Sequence, residues 1–221
     1  MESRACAGLA ADGAVVDAST IEIGISAVLS GGDAPGGANT AAATLLAIDM
    51  VNADTSILPD HTLVPTFADD AGEFVAGFLS GVCLADRGVP VTIGPTHSGA
   101  SMGFGTISRQ TNMPFLSPSA SSPKLNSRDA ETGFPLFSRN FPSDDFQGVA
   151  LADLAQHYGW TTCATISQSA DEYSEGLTTT FSSVADSRGI GISSQLSMGT
   201  GDSDEDIATK LTQAKNSGTR M

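Results

Sequence analysis

The residues best suited to chemistry in this chain lie on short loops rich in serine and glycine. Residues 94–99 read GPTHSG, between a short apolar run and a helical stretch. Such a strand-to-helix turn presents backbone N–H groups and, here, the Ser98 hydroxyl. With Gly99 beside it, that set suits a carboxylate or phosphate. Ser98 could instead simply cap a helix beginning near Gly99, since serine favours that position. Residues 117–122 read SPSASS. Ser119 and Ser121, with Ala120 between them, offer hydroxyl donors and acceptors, or merely solvate a turn. Asp144 opens a later helix behind Ser143. It complements the helix dipole there or, facing a cleft, pairs with an ammonium group. Tyr173 follows a further strand and could stack on a cation or cover core surface. Together these groups offer donors for a negative charge and a carboxylate with an aromatic ring for a positive one, a set that fits a zwitterion. Charge-assisted bonds contribute about 1.5–3 kcal/mol each. Three or four of them approach the roughly 8 kcal/mol of micromolar affinity.

Other chemistry is less well supported. Ser98, Asp144 and His157 follow the chain order of the α/β-hydrolase triad, but the nucleophile turn of those enzymes needs glycines where Thr96 and Ala100 stand. Asp144 and His157 belong to one helical stretch, which at 1.5 Å per residue keeps them about 20 Å apart. The stretch GFGTIS lies inside a helix, with serine where a third glycine belongs, and is no dinucleotide fingerprint. His61 and His97 have no partners at metal-ligand spacing and read as surface polar residues. Cys6, Cys83 and Cys163 allow one disulfide and a free thiol, or three thiols. They show no zinc-site spacing. An enzyme is therefore not expected, and neither is a metal or cofactor. Ten basic residues against 25 acidic ones give a net charge of −15. That field repels nucleic acid and anionic lipid. It reads as solubility, with attraction of a cationic ligand the sharper alternative.

The elements that must position these loops follow a repeated rhythm. Alternating or apolar runs at 21–29, 62–68, 89–93 and 113–116 read as strands. Helical stretches at 40–51, 74–82 and 100–110 lie between them. Pro65 places the second strand near a sheet edge or at a bulge. Phe74, Val75, Phe78, Leu79 and Val82 recur at helical spacing, as a face lying on a sheet would. A long polar loop covers 117–135, of a length that is usually functional. The rhythm then resumes with a strand at 137–139 and a helix at 144–158 carrying Phe146, Ala150, Leu154 and Tyr158 on one face. Strands at 162–167 and 190–196 follow, alternating with two more helices. The expectation is an α/β protein, an open parallel three-layer αβα sheet with helices on both faces. Ligands of such sheets sit beyond the carboxyl ends of the strands, where all the loops above lie. Three segments are expected: a disordered leader at 1–19, a first lobe at 20–140, and the start of a second lobe at 141–221. The chain stops where another strand should begin, which reads as a truncation. No signal peptide and no membrane-spanning apolar run is legible.

The stretches IGPTHSGAS, MPFLSPSASSPKL, FSRNFPSDDFQGVALADLAQHYGW and DEYSEGL, in this order, resemble the type I periplasmic-binding-protein family. That family includes branched-chain amino-acid-binding proteins of bacterial transporters and the extracellular ligand-binding regions of class C G-protein-coupled receptors. The resemblance implies a truncated bilobal module that binds an amino-acid-like ligand between two lobes. In it, Ser98 and Gly99 would meet the ligand carboxylate. Ser119, Ala120 and Ser121 would contact both carboxylate and amino group, Asp144 would receive the amino group, and Tyr173 would pack over it. It further implies a receptor on the extracellular face of the plasma membrane, with its membrane-spanning region outside this chain and a second copy meeting the first lobe. A transporter-associated binding protein is the alternative. The family's usual early cysteine pairing is not legible.

Overall fold

A computed structural model describes residues 19–218. The leader expected at 1–19 lies outside them except for Ser19. Two compact units divide the chain. The first comprises the described residues up to Ala120 together with Leu125–Phe141. The second comprises Ser121–Lys124 and the residues from Pro142 onward.

In the first unit five strands form one parallel sheet. They are β1 (Thr20–Ala27), β2 (Thr62–Asp69), β3 (Val91–Ile93), β4 (Phe115–Ser117) and β5 (Phe137–Arg139), in the order β2-β1-β3-β4-β5. Pro65 thus lies on an edge strand, where a missing N–H costs no ladder bond. Helices α1 (Ala34–Ala53), α2 (Phe74–Asp86) and α3 (Ser98–Thr111) connect the first four strands. Alternation along β1 assigns its two faces. Ile25 and Ala27 pack with Ile48 of α1, while a Cβ at Gly24 would fall 3.0 Å from Leu84 of α2. Helices therefore cover both faces, as expected for an open parallel sheet. The α2–α3 side is built around Leu84, Phe104, Phe115, Leu125 and Phe137.

Two sequence expectations about this unit need correction. Helix α1 begins at Ala34, six residues before the expected 40–51 span. Pro35 stands in its first turn, where proline's fixed φ suits a helix and its missing N–H is harmless. Gly37 lets this turn press onto the residue that follows β1, since a Cβ there would fall 1.9 Å from the Val28 carbonyl oxygen. The apolar series on α2 does not lie on the sheet. Phe74, Val75, Leu79 and Val82 are exposed, Val75 to 67%, and the buried face is Gly77, Ser80, Gly81, Cys83 and Leu84. Backbone closeness explains the choice. A Cβ on Gly77 would fall 2.2 Å from the Ala100 oxygen, and one on Gly103 2.0 Å from the Phe74 oxygen.

The second unit holds α4 (Asp144–His157), β6 (Thr162–Gln168), α5 (Glu172–Ser187), β7 (Gly191–Met198) and α6 (Asp204–Asn216), with β6 and β7 paired in parallel. Its core is Ala152, Ala155, Ala185 and Ile190. Here too the expected apolar face points outward. Phe146 is 72% exposed, with Leu154 and Tyr158 also exposed. Gly148 turns inward instead, and a Cβ there would fall 2.7 Å from Thr180 of α5. Cys83 is disulfide-bonded and Cys163 is a free thiol whose pKa burial raises. Of the two cysteine arrangements open in the sequence, the one with a disulfide is present.

Candidate functional site

The expected residues fall into two groups, one in each unit. In the first unit, Ser98 and Gly99 open α3 at the carboxyl end of β3. Ser98 is buried, and the N-cap is His97, not Ser98. Its hydroxyl is thus not the capping group that the sequence alone left open. The N-cap His97 makes no side-chain cap hydrogen bond, and the first turn of α3 carries the positive end typical of a helix start.

The preceding loop is fixed from β4. The Ser117 hydroxyl donates to the Pro95 carbonyl oxygen at 2.5 Å, and that of Ser119 donates to the Thr96 oxygen at 3.0 Å. Ser117 Oγ also accepts the Ala120 N–H at 2.9 Å. Arg139 Nη1 donates to the Ala120 oxygen at 3.1 Å. Ser98, Gly99, Ser119 and Ala120 therefore share one rim, formed by loops after two hydrogen-bonded strands. Ser119 is exposed, while Ala120 is fully buried beneath it. Ser117 and Arg139 shape this rim, and sequence reasoning passed over both. Ser117 was legible only as part of a serine-rich turn.

In the second unit, Ser121 and Asp144 form a reciprocal pair. The Ser121 hydroxyl donates to Asp144 Oδ2 at 2.9 Å, and the Asp144 N–H donates to the Ser121 oxygen at 2.9 Å. Both are buried, Asp144 to 1% exposure. Asp144 begins α4, and the N-cap Ser143 accepts the Asp145 N–H through its side chain, leaving the carboxylate on the favourable end of the dipole. Tyr173 lies in the first turn of α5 and is 42% exposed. Segment 121–124 is packed on that turn. Lys124 pairs with Glu172, and a Cβ on Gly176 would fall 2.9 Å from Pro123. One local arrangement thus carries Ser121, Asp144 and Tyr173, and sequence reasoning missed the Lys124–Glu172 pair that ties it together. A hollow of about 340 Å³ in this unit is lined by Thr165, Ser167, Glu175, Thr178, Gln195 and Ser197, among others. None of the expected residues lines it.

His61 is exposed, as read from the sequence. His97 is not merely a surface polar residue, because its Nε2 lies 2.8 Å from Asp33 Oδ2. Among the described residues no group of three or more His, Cys, Asp or Glu side chains could hold a metal ion. No helix among them is long and apolar enough to cross a membrane.

Comparison with known proteins bears on the chain as a whole. The family described as "Receptor family ligand binding region" matches residues 39–221. A rice (Oryza sativa subsp. japonica) protein, glutamate receptor 3.1, is 31% identical over 126 residues, covering 57% of this chain and 13% of its own. The metabotropic glutamate receptor of Drosophila melanogaster is 30% identical over 151 residues, covering 56% of this chain and 15% of its own. Mouse (Mus musculus) taste receptor type 1 member 3 is 31% identical over 173 residues, covering 71% of this chain and 20% of its own. The chain thus spans between 13% and 20% of the length of these relatives.

Proposed function

The chain belongs to the family of receptor ligand-binding regions, and from that premise we propose that it binds a small amino-acid-like molecule and catalyses no reaction. The carboxylate of such a ligand is taken by the first unit, on the Ser98 hydroxyl, the N–H groups at the start of α3 and the neighbouring Ser119–Ala120 loop. The ammonium group is taken by the second unit, on Asp144 with Ser121, and Tyr173 packs over it. Lobe closure on the ligand is the signal, passed to a membrane-spanning region outside this chain, with this module on the extracellular face. A second copy associates through the first unit, and the exposed apolar face of α2 supports that partner.

The Ser121–Asp144 pair carries the reading. A carboxylate removed from water is costly unless it is compensated. Here one oxygen accepts a hydroxyl at 2.9 Å, and the helix start holds the carboxylate in place. Such a group is preorganised for a cation. That two of the relatives are named glutamate receptors favours an amino acid as the partner. Calorimetry with L-glutamate and a panel of other amino acids tests the proposal. Ser98→Ala and Asp144→Asn are each expected to weaken binding tenfold or more, from loss of about 1.5–3 kcal/mol per charge-assisted bond. Unchanged affinity in both variants would refute the assignment.

A further inference from the structure

The proposed carboxylate site uses Ser98 and leaves its neighbour His97 without a role. The His97 carbonyl oxygen accepts the Ser101 N–H at 2.9 Å, the first hydrogen bond of the α3 turn. Its imidazole reaches away from that helix. Nε2 meets Asp33 Oδ2 at 2.8 Å, on the turn that leads into α1. The ring also lies on Gly72, in the turn after β2, where a Cβ would fall 2.4 Å from Nδ1. Gly72 has φ +73°, a conformation glycine adopts at little cost. One side chain thus joins the loops after β1 and β2 to the loop after β3.

The support beneath it is hydrogen-bonded. The Gly72 N–H donates to Asp70 Oδ1 at 2.9 Å. The fully buried Asp70 also accepts the Ser26 hydroxyl at 2.9 Å. From the other side, Ser117 and Ser119 hold the carbonyl oxygens of Pro95 and Thr96. Residues 95, 96 and 97 are therefore each tied to a neighbouring loop, His97 toward β1 and β2 and the other two toward β4.

We propose that His97 is a positioning residue for the ligand carboxylate. By bonding Asp33 it fixes the peptide units that precede Ser98, so that the donors at the start of α3 are aimed before ligand arrives. This rests on the functional reading above, and it adds two residues, His97 and Asp33, that touch no ligand in that reading. The pair is partly exposed, 42% for His97 and 63% for Asp33, and such pairs contribute little to global stability. Its effect belongs in ligand affinity and local order, where preorganisation removes an ordering cost from binding.

The test uses the full chain and L-glutamate as probe. His97→Ala and Asp33→Ala are each expected to weaken binding about tenfold by loss of preorganisation, with no further loss in the double variant and little change in unfolding temperature. His97→Gln, which keeps a donor at the same reach, restores affinity to within about twofold. Amide exchange at Ser101, measured without ligand, rises in both alanine variants. A His97→Ala variant with unaltered affinity and unaltered Ser101 exchange overturns the proposal, and so does a His97→Gln variant as weak as His97→Ala. Faster Ser101 exchange in a chain that binds no amino acid leaves the anchoring role standing and removes the functional reading instead.

Discussion

At the scale of single residues, the buried carboxylates differ in what surrounds them, and the difference is measurable. Burial pushes the Asp70 carboxyl above its ordinary range. The Gly72 N–H, the Ser26 hydroxyl and His97 offset part of this, and Asp69 adds to it. Asp69 is burdened by burial too, but side-chain and backbone donors from Ser30, with the N–H groups of Ala71 and Leu29, outweigh it and leave its pKa lowered. The sign for Asp70 follows from linkage. In the window just above the ordinary carboxylate range, the folded chain keeps the proton that the unfolded chain has lost. Stability therefore falls as pH rises through that window. Asp70→Asn removes this fall. The amide can still accept the Gly72 N–H and can donate to Ser26 Oγ, which lies 2.9 Å from Ser80 Oγ. Thermal unfolding from pH 4 to 7 should show a flatter profile for the variant and no loss at neutral pH. A profile parallel to that of the unaltered chain would mean that Asp70 is not the group responsible. Serine and aspartate types drew attention to Ser98, Ser121 and Asp144 from sequence. The Asp33–His97 pair did not stand out, because it joins residues far apart in the chain through a fold that must first be known.

At the scale of elements, strands were legible and helix orientation was not. The alternating and short apolar runs are found as β1 to β4, and of the edge or bulge that Pro65 signals, the edge is what the sheet order shows. The inward face of α2 was misread because bulky residues give the stronger periodic signal. The face buried in this fold is instead Gly77, Ser80, Gly81 and Leu84, at spacings of three and four. Small residues win there because they let the backbones of α2 and α3 meet directly. Gly103→Ala should therefore destabilise the first unit by about 1–3 kcal/mol, the usual range for overpacking, measured by chemical denaturation. An effect below about 0.5 kcal/mol, ordinary for a surface site, would show that the helices do not touch at that position. The displaced apolar residues have the opposite expectation. Leu79→Glu should leave the unfolding temperature nearly unchanged, since Leu79 is already 40% exposed. If α2 carries the self-association proposed above, the same change should shift the chain to monomer in sedimentation. An unaltered sedimentation profile for an associating chain would assign the contact elsewhere. Helix α4 repeats the pattern with Gly148 inward and Phe146 outward. In both helices backbone closeness, and not side-chain bulk, decides which face is buried.

At the scale of the whole molecule, fold class and family were legible because they depend on the order of elements and loops, which survives local misreadings. The four resembling stretches cover the turns at the ends of β3 and β4, the start of α4 and the start of α5, where all the expected binding residues lie. What order alone could not supply was the tie of segment 121–124 to α5, which depends on Lys124 meeting Glu172 and on Gly176 admitting Pro123. The other whole-chain property, acidity, yields a prediction independent of any ligand. A net charge of −15 makes the compact state repel itself. The described ion pairs that offset it include Arg87–Glu22, Lys124–Glu172, Arg188–Asp153 and Lys210–Asp202, and each of the first three has one well-exposed partner. Salt screens both effects over a Debye length of about 10 Å at 0.1 M and about 3 Å at 1 M. Exposed pairs are each worth no more than about 1 kcal/mol, so relief of long-range repulsion should prevail over their loss. The unfolding temperature is expected to rise between low salt and about 0.5 M sodium chloride, well within the screening range. A falling temperature over that interval would show that the exposed pairs, and not the net charge, dominate the electrostatics of this chain.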